Sequence, residues 1–85
     1  MAIPQARLGD LTNHGGMIVT AAFRTYVNGR PAARLGDLHL CPMHGINPIV
    51  TADPDTFIEG RPSARLGDLT ACGAVIATAS EDTLV

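Results

Sequence analysis

One eight-residue string, Pro-x-Ala-Arg-Leu-Gly-Asp-Leu, occurs three times in this chain, at Pro4–Leu11, Pro31–Leu38 and Pro62–Leu69. A second string follows each copy: Ile18-Val19-Thr20, Ile49-Val50-Thr51 and Ile76-Ala77-Thr78. A third comes after that: Thr25-Tyr26-Val27, Thr56-Phe57-Ile58 and Thr83-Leu84-Val85. Three strings in one order, three times over, make the chain three copies of one supersecondary unit. Such a unit cannot bury its apolar face alone, so the copies must pack on one another.

The spacing within the units is uneven in one place. Fourteen residues separate Pro4 from Ile18 and Pro62 from Ile76, but eighteen separate Pro31 from Ile49. The second unit therefore carries four extra residues between Asp37 and Ile49. The first two units end in Asn28-Gly29-Arg30 and Glu59-Gly60-Arg61, each running into the next motif proline, whereas the third stops at Val85. Read as a ring, unit three ends where unit one begins. The expectation is one domain over 1–85, with repeats of approximately 3–29, 30–60 and 61–85 around a pseudo-three-fold axis, the termini side by side and no fused effector domain.

Turn and strand signals dominate. Thr25-Tyr26-Val27 and Thr56-Phe57-Ile58 cluster β-branched and aromatic residues, which suit a pleated surface. Asn28-Gly29 is a tight-turn dipeptide, replaced by Glu59-Gly60 in the next unit. No eleven-residue window holds a helical apolar stripe free of Gly and Pro. The fold class expected is all-β: three hairpin-like repeats and no helix.

Composition narrows the function. At 85 residues the core is thin, and a chain of this size commonly needs a metal or another staple. A net charge of −2 argues against a nucleic-acid partner. The longest apolar run, Ala74–Ala77, is far short of a membrane span. The N-terminus has neither the basic nor the apolar segment of a signal peptide.

Every His and Cys falls between a Leu-Gly-Asp turn and the following Ile: His14, His39, Cys41, His44 and Cys72. Three pseudo-equivalent loops would gather these at one end of the axis. Two registers compete. Counted forward from the motif Arg, the equivalent positions are His14, Cys41 and Cys72. Counted by the Gly that follows, they are His14, His44 and Cys72, before Gly15, Gly45 and Gly73. The second register is preferred because the Gly permits a sharp turn, with His39 from the insertion as fourth ligand and Cys41 as the alternative sulfur. A set of three His and one Cys suits Zn²⁺ above Mg²⁺ or Ca²⁺ and leaves Fe²⁺ open. Four protein ligands leave no position for water, so the site reads as structural and the chain as no enzyme. The repeated pairs Arg7 and Asp10, Arg34 and Asp37, and Arg65 and Asp68 read as ion pairs and turn caps rather than acid–base machinery.

The triple Pro-x-Ala-Arg motif, with His and Cys in the intervening loops, resembles the PAAR-repeat family across nearly the whole chain. The resemblance implies a small conical β fold that caps the trimeric VgrG β-helix of a bacterial type VI secretion spike. It implies one zinc near the tip, held by three His and one Cys, and so matched by His14, His39, His44 and Cys72. It further implies linkage to cargo effectors or adaptors, assembly in the bacterial cytoplasm and export on the spike, and the pseudo-three-fold symmetry within one chain sets the expectation of one chain per trimer. A target membrane would be touched only during piercing. The other classes open are the tip of a phage tail or of an extracellular contractile injection particle, and a small metal-dependent enzyme.

Overall fold

A computed structural model describes residues 3–22, 24–80 and 83–85. Seven short strands occur among them: β1 (Met17–Ile18), β2 (Tyr26–Val27), β3 (Arg30–Pro31), β4 (Leu38–Cys41), β5 (Gly45–Pro48), β6 (Asp53–Ile58) and β7 (Arg61–Ser63). None of the described residues is helical, as expected from the absence of an apolar stripe. β1, β4 and β5 form one antiparallel sheet, while β2 with β3 and β6 with β7 form separate two-stranded hairpins.

Those two hairpins turn where the sequence predicts. Val27 pairs with Arg30 and Ile58 with Arg61, leaving Asn28-Gly29 and Glu59-Gly60 as two-residue loops. All four residues have positive φ, the conformation that matches the twist of the flanking strands. Positive φ is unusual for Glu59. Its Oε2 is engaged nearby, accepting from the Arg24 N–H at 2.9 Å and the Thr25 hydroxyl at 3.0 Å.

The repeats close into a ring of backbone hydrogen bonds. The Ala6 N–H donates to the Ala64 carbonyl at 3.0 Å, Ala33 to Ala6 at 3.0 Å and Ala64 to Ala33 at 3.1 Å. Only a closed three-fold arrangement lets three equivalent residues each donate to one neighbour and accept from the other. Ile18, Ile49 and Ile76 pack against these alanines, each 1% exposed. Burial of each isoleucine stabilises the core by roughly 1.5–3 kcal/mol. Small Ala at the motif position lets the three backbones approach the axis; Ile, one per unit, fills the space around it.

The same cyclic order repeats further out. Leu8 donates to the Pro31 carbonyl, Leu35 to Pro62 and Leu66 to Pro4, at 2.8, 2.8 and 2.9 Å. The third of these joins unit three back to unit one. The ends meet as the ring reading requires: the Ile3 N–H donates to the Val85 carbonyl at 3.1 Å and the Val85 N–H to Ile3 at 2.8 Å.

The motif Arg and Asp side chains tie the turns together. In each unit the Arg N–H donates to the Asp Oδ2, at 2.7, 2.8 and 2.7 Å for Asp10, Asp37 and Asp68. The guanidinium Nε of the same Arg pairs with that carboxylate, at 3.0, 3.0 and 3.4 Å. Thr20, Thr51 and Thr78 then link unit to unit. Their hydroxyls donate to Asp37, Asp68 and Asp10 at 3.1, 2.8 and 2.9 Å. Arg34 is the most buried of the three motif arginines, and its hydrogen bond to Asp37 keeps its pKa above the ordinary arginine value despite the opposing effect of burial.

Candidate metal centre

Register decides which side chains meet. Ile18 pairs with His39, Ile49 with Thr70 and Ile76 with Thr12, so Thr12, His39 and Thr70 occupy one pseudo-equivalent position. Two residues further along each unit stand His14, Cys41 and Cys72. Residues two apart on a strand share a face, and in β4 both His39 and Cys41 are buried while Leu40 between them is exposed.

The four extra residues of unit two enter beyond Cys41, at the hairpin tip. β4 and β5 pair from Leu38 and Pro48 up to Cys41 and Gly45, leaving Pro42, Met43 and His44 as the turn. The His44 N–H donates to the Cys41 carbonyl at 3.3 Å. In the four-residue turn that this bond closes, Cys41–His44, Pro42 takes the second position, where its fixed φ is favourable. The turn folds His44 back over Cys41.

The result is a cluster of His14, Cys41, His44 and Cys72, whose ligand atoms all lie within 4.8 Å of one another. Cys41 Sγ is 3.4 Å from His44 Nδ1 and 3.8 Å from His14 Nδ1, and Cys72 Sγ is 3.8 Å from His14 Nδ1. A tetrahedral zinc with bonds of about 2.3 Å to sulfur and 2.05 Å to nitrogen would set each sulfur–nitrogen edge at about 3.6 Å. The three edges fall on either side of that value, so a four-coordinate borderline-soft ion fits this donor set. Both cysteines are free thiols, and the His14 and His44 rings lie 5.6 Å apart between centroids.

His39, expected as the fourth ligand, does not stand with them. It is fully buried, and its Nε2 meets the Thr12 hydroxyl at 2.8 Å. Gly16 packs tightly against it: a Cβ there would lie 2.5 Å from His39 Nε2 and 2.1 Å from the Leu40 carbonyl oxygen. Cys41 stands in the cluster instead, while the buried His39 Nδ1 has no hydrogen-bond partner among the described residues. The forward register from the motif Arg is the one the fold uses, because strand pairing is continuous from the motif turn upward and breaks only at the tip. The Gly-based register rests on a real feature, since Gly15, Gly45 and Gly73 all have positive φ. It marks the turns and not the strand register.

The cluster is electrostatically prepared for a cation. A hydrogen bond with Thr70 Oγ1, 3.3 Å from Cys72 Sγ, is the main cause that lowers the Cys72 pKa, with further help from the Ala74 N–H, His14 and Cys41. Burial opposes the shift, yet the thiol ionises at about 5 instead of 9.0. Thr70 occupies the position that His39 takes in unit two. One unit uses this position to support the sulfur and another to fill the core.

Comparison with protein families adds the last observation. The family described as the PAAR motif matches residues 8–78, more than four-fifths of the chain. The chain belongs to the PAAR-motif family. The matched span takes in the second and third Pro-x-Ala-Arg motifs, the Leu8–Leu11 turn that follows the first, and all four cluster residues. No curated protein matches the chain. The family is one of small conical β proteins at the spike tips of contractile secretion systems, and its role there is structural.

Proposed function

We propose that this protein is the tip of a type VI secretion spike, seated on the trimeric VgrG β-helix with one chain per trimer. A zinc ion held by His14, Cys41, His44 and Cys72 stiffens its point. The observation that carries this reading is the closed pseudo-three-fold ring with a four-donor knot joining loops of all three units. When bound, the ion supplies a crosslink between units that a thin core does not provide. The chain's own residues present the donors: the Cys41 turn delivers His44, and Thr70 holds Cys72 as thiolate. With four protein ligands there is no open position for substrate, so the role is mechanical. The tip would assemble in the cytoplasm, leave on the spike and carry effectors or adaptors with it.

Pseudo-three-fold symmetry within one chain lets a single copy satisfy three identical partner subunits. Tyr26, Phe57 and Leu84 recur at one place in the three units and are 61%, 61% and 50% exposed. They supply the apolar ring for such a seat. The tie would depend weakly on salt, because these contacts carry no charge. A stable seat would bury at least roughly 1,000 Å² over both partners.

Co-purification with a trimeric VgrG, followed by light scattering and metal analysis, tests the proposal. The expected result is one chain and one zinc per trimer, with binding weakened at least tenfold by Tyr26→Asp combined with Phe57→Asp. Three chains per trimer, or binding lost on Met43→Asp but kept in the double variant, would overturn the orientation and the stoichiometry.

A further inference from the structure

The donor set contains two sulfurs where the family resemblance implies one, and the second sulfur brings chemistry of its own. We propose that Cys41 and Cys72 are a redox-closable pair: a peroxide joins them as a disulfide and expels the metal. This rests on the metal reading above and concerns what the same four residues do under oxidant.

The geometry favours closure within the chain. Both sulfurs lie within 3.8 Å of the same nitrogen, His14 Nδ1, and all four ligand atoms lie within 4.8 Å of one another. Cys41 ends β4 of unit two and Cys72 sits in a turn of unit three, so closing the pair leaves the Ala6–Ala33–Ala64 hydrogen bonds in place. A disulfide needs the sulfurs at about 2.05 Å, and the two start no more than 4.8 Å apart.

Exposure assigns the order of events. Cys41 is 1% exposed, whereas Cys72 is partly open to solvent. The Cys72 thiolate attacks one peroxide oxygen; the O–O bond breaks, a sulfenic acid forms on Cys72 and hydroxide leaves. The Cys41 thiolate then attacks that sulfur; the S–S bond forms and a second hydroxide leaves. Two protons from solvent turn the two hydroxides into water. Two electrons pass from the thiolates to the peroxide, and the metal leaves as a dication because only His14 and His44 remain to hold it.

The oxidised tip differs from the metal-bound one in a specific way. The ion ties units one, two and three, through His14, through Cys41 with His44, and through Cys72. The disulfide ties only units two and three. Oxidation should therefore loosen the 11–17 loop of unit one while leaving the opposing loops joined.

The test treats the zinc-loaded protein with hydrogen peroxide and follows intact mass, free thiols, released zinc and hydrogen exchange. The expected result is loss of the mass of two hydrogens, loss of both thiols, release of one zinc per chain, and faster exchange in 11–17 than in 39–47. Dithiothreitol with added zinc should restore the starting state. Cys41→Ser should leave a sulfenic acid on Cys72 that dimedone traps, and Cys72→Ser should react at least tenfold more slowly. Zinc retained with both thiols intact, or oxygen added to each sulfur without a crosslink, would overturn the proposal. A protein that forms the disulfide but never held metal would overturn the metal reading and leave the sulfur pairing standing.

Discussion

His39 Nε2 lies 2.8 Å from Thr12 Oγ1, so a histidine and a threonine from two different units share one hydrogen bond at pseudo-equivalent positions. In unit three the same position is Thr70. His39 is buried here and bonds sideways through Nε2, while its Nδ1 has no hydrogen-bond partner among the described residues.

Substitution separates these roles. His39→Thr restores the residue of the other two units and should keep about one metal equivalent, at a cost in stability of about 1–3 kcal/mol from lost packing. Cys41→Ser should release most of the metal. Elemental analysis beside thermal melting reads both, and metal lost from His39→Thr but kept in Cys41→Ser would contradict the assignment.

The three motif ion pairs should not be equal. Arg34 and Asp37 are the most buried pair, with the Arg34 side chain 7% exposed against 18% for Arg65, and Arg65 Nε stands farther from its carboxylate, at 3.4 Å against 3.0 Å. Removing Asp37 leaves a buried guanidinium without its main partner, which costs about 3–5 kcal/mol. Asp37→Ala should therefore destabilise clearly more than Asp68→Ala in urea unfolding. Equal midpoints for the two variants would refute the ranking.

Asp53 supplies an acid-side test. The Asp55 N–H, 2.9 Å from its Oδ1, and then the Thr56 hydroxyl hold Asp53 below the usual carboxylate value of 3.8. A depressed folded value means that the unfolded chain binds the proton first as pH falls. The stabilisation is complete above 3.8 and disappears as pH falls through the lower folded value. Asp53→Asn should melt below the parent at neutral pH, with the gap closing in strong acid. Any metal is released equally from both proteins, so their difference isolates Asp53. A gap that stays constant with pH would exclude the effect.

In metal-stripped protein, the Cys72 thiol should be alkylated by iodoacetamide with a midpoint near pH 5 rather than 9.0, because Thr70 favours the thiolate. Stability linked to this group is complete above 9.0 and is lost as pH falls through about 5. Thr70→Val should raise the alkylation midpoint, and added zinc should protect the thiol. A parent midpoint close to 9.0 would rule out the hydrogen bond as its cause.

Much of this protein is legible in one dimension. The three Pro-x-Ala-Arg-Leu-Gly-Asp-Leu strings determine three equivalent turns, since each Arg and Asp close their own turn three residues apart. The phase of the repeats determines that Ile3 and Val85 meet, because a ring of three units has no other place for its ends. Loop position determines that His and Cys converge. What the sequence alone left undecided is which of five candidates converge, because four extra residues in unit two can be counted before or after the ligand position. Strand pairing settles it. Leu38–Cys41 continues the ladder set by Ile18 and His39, the surplus is expelled to the Pro42–His44 turn, and Cys41 is carried into the cluster while His39 stays below. A one-dimensional count has no energy attached to either register. In three dimensions a slip would break the backbone hydrogen bonds of the β1–β4–β5 sheet and turn the buried face of β4 outward.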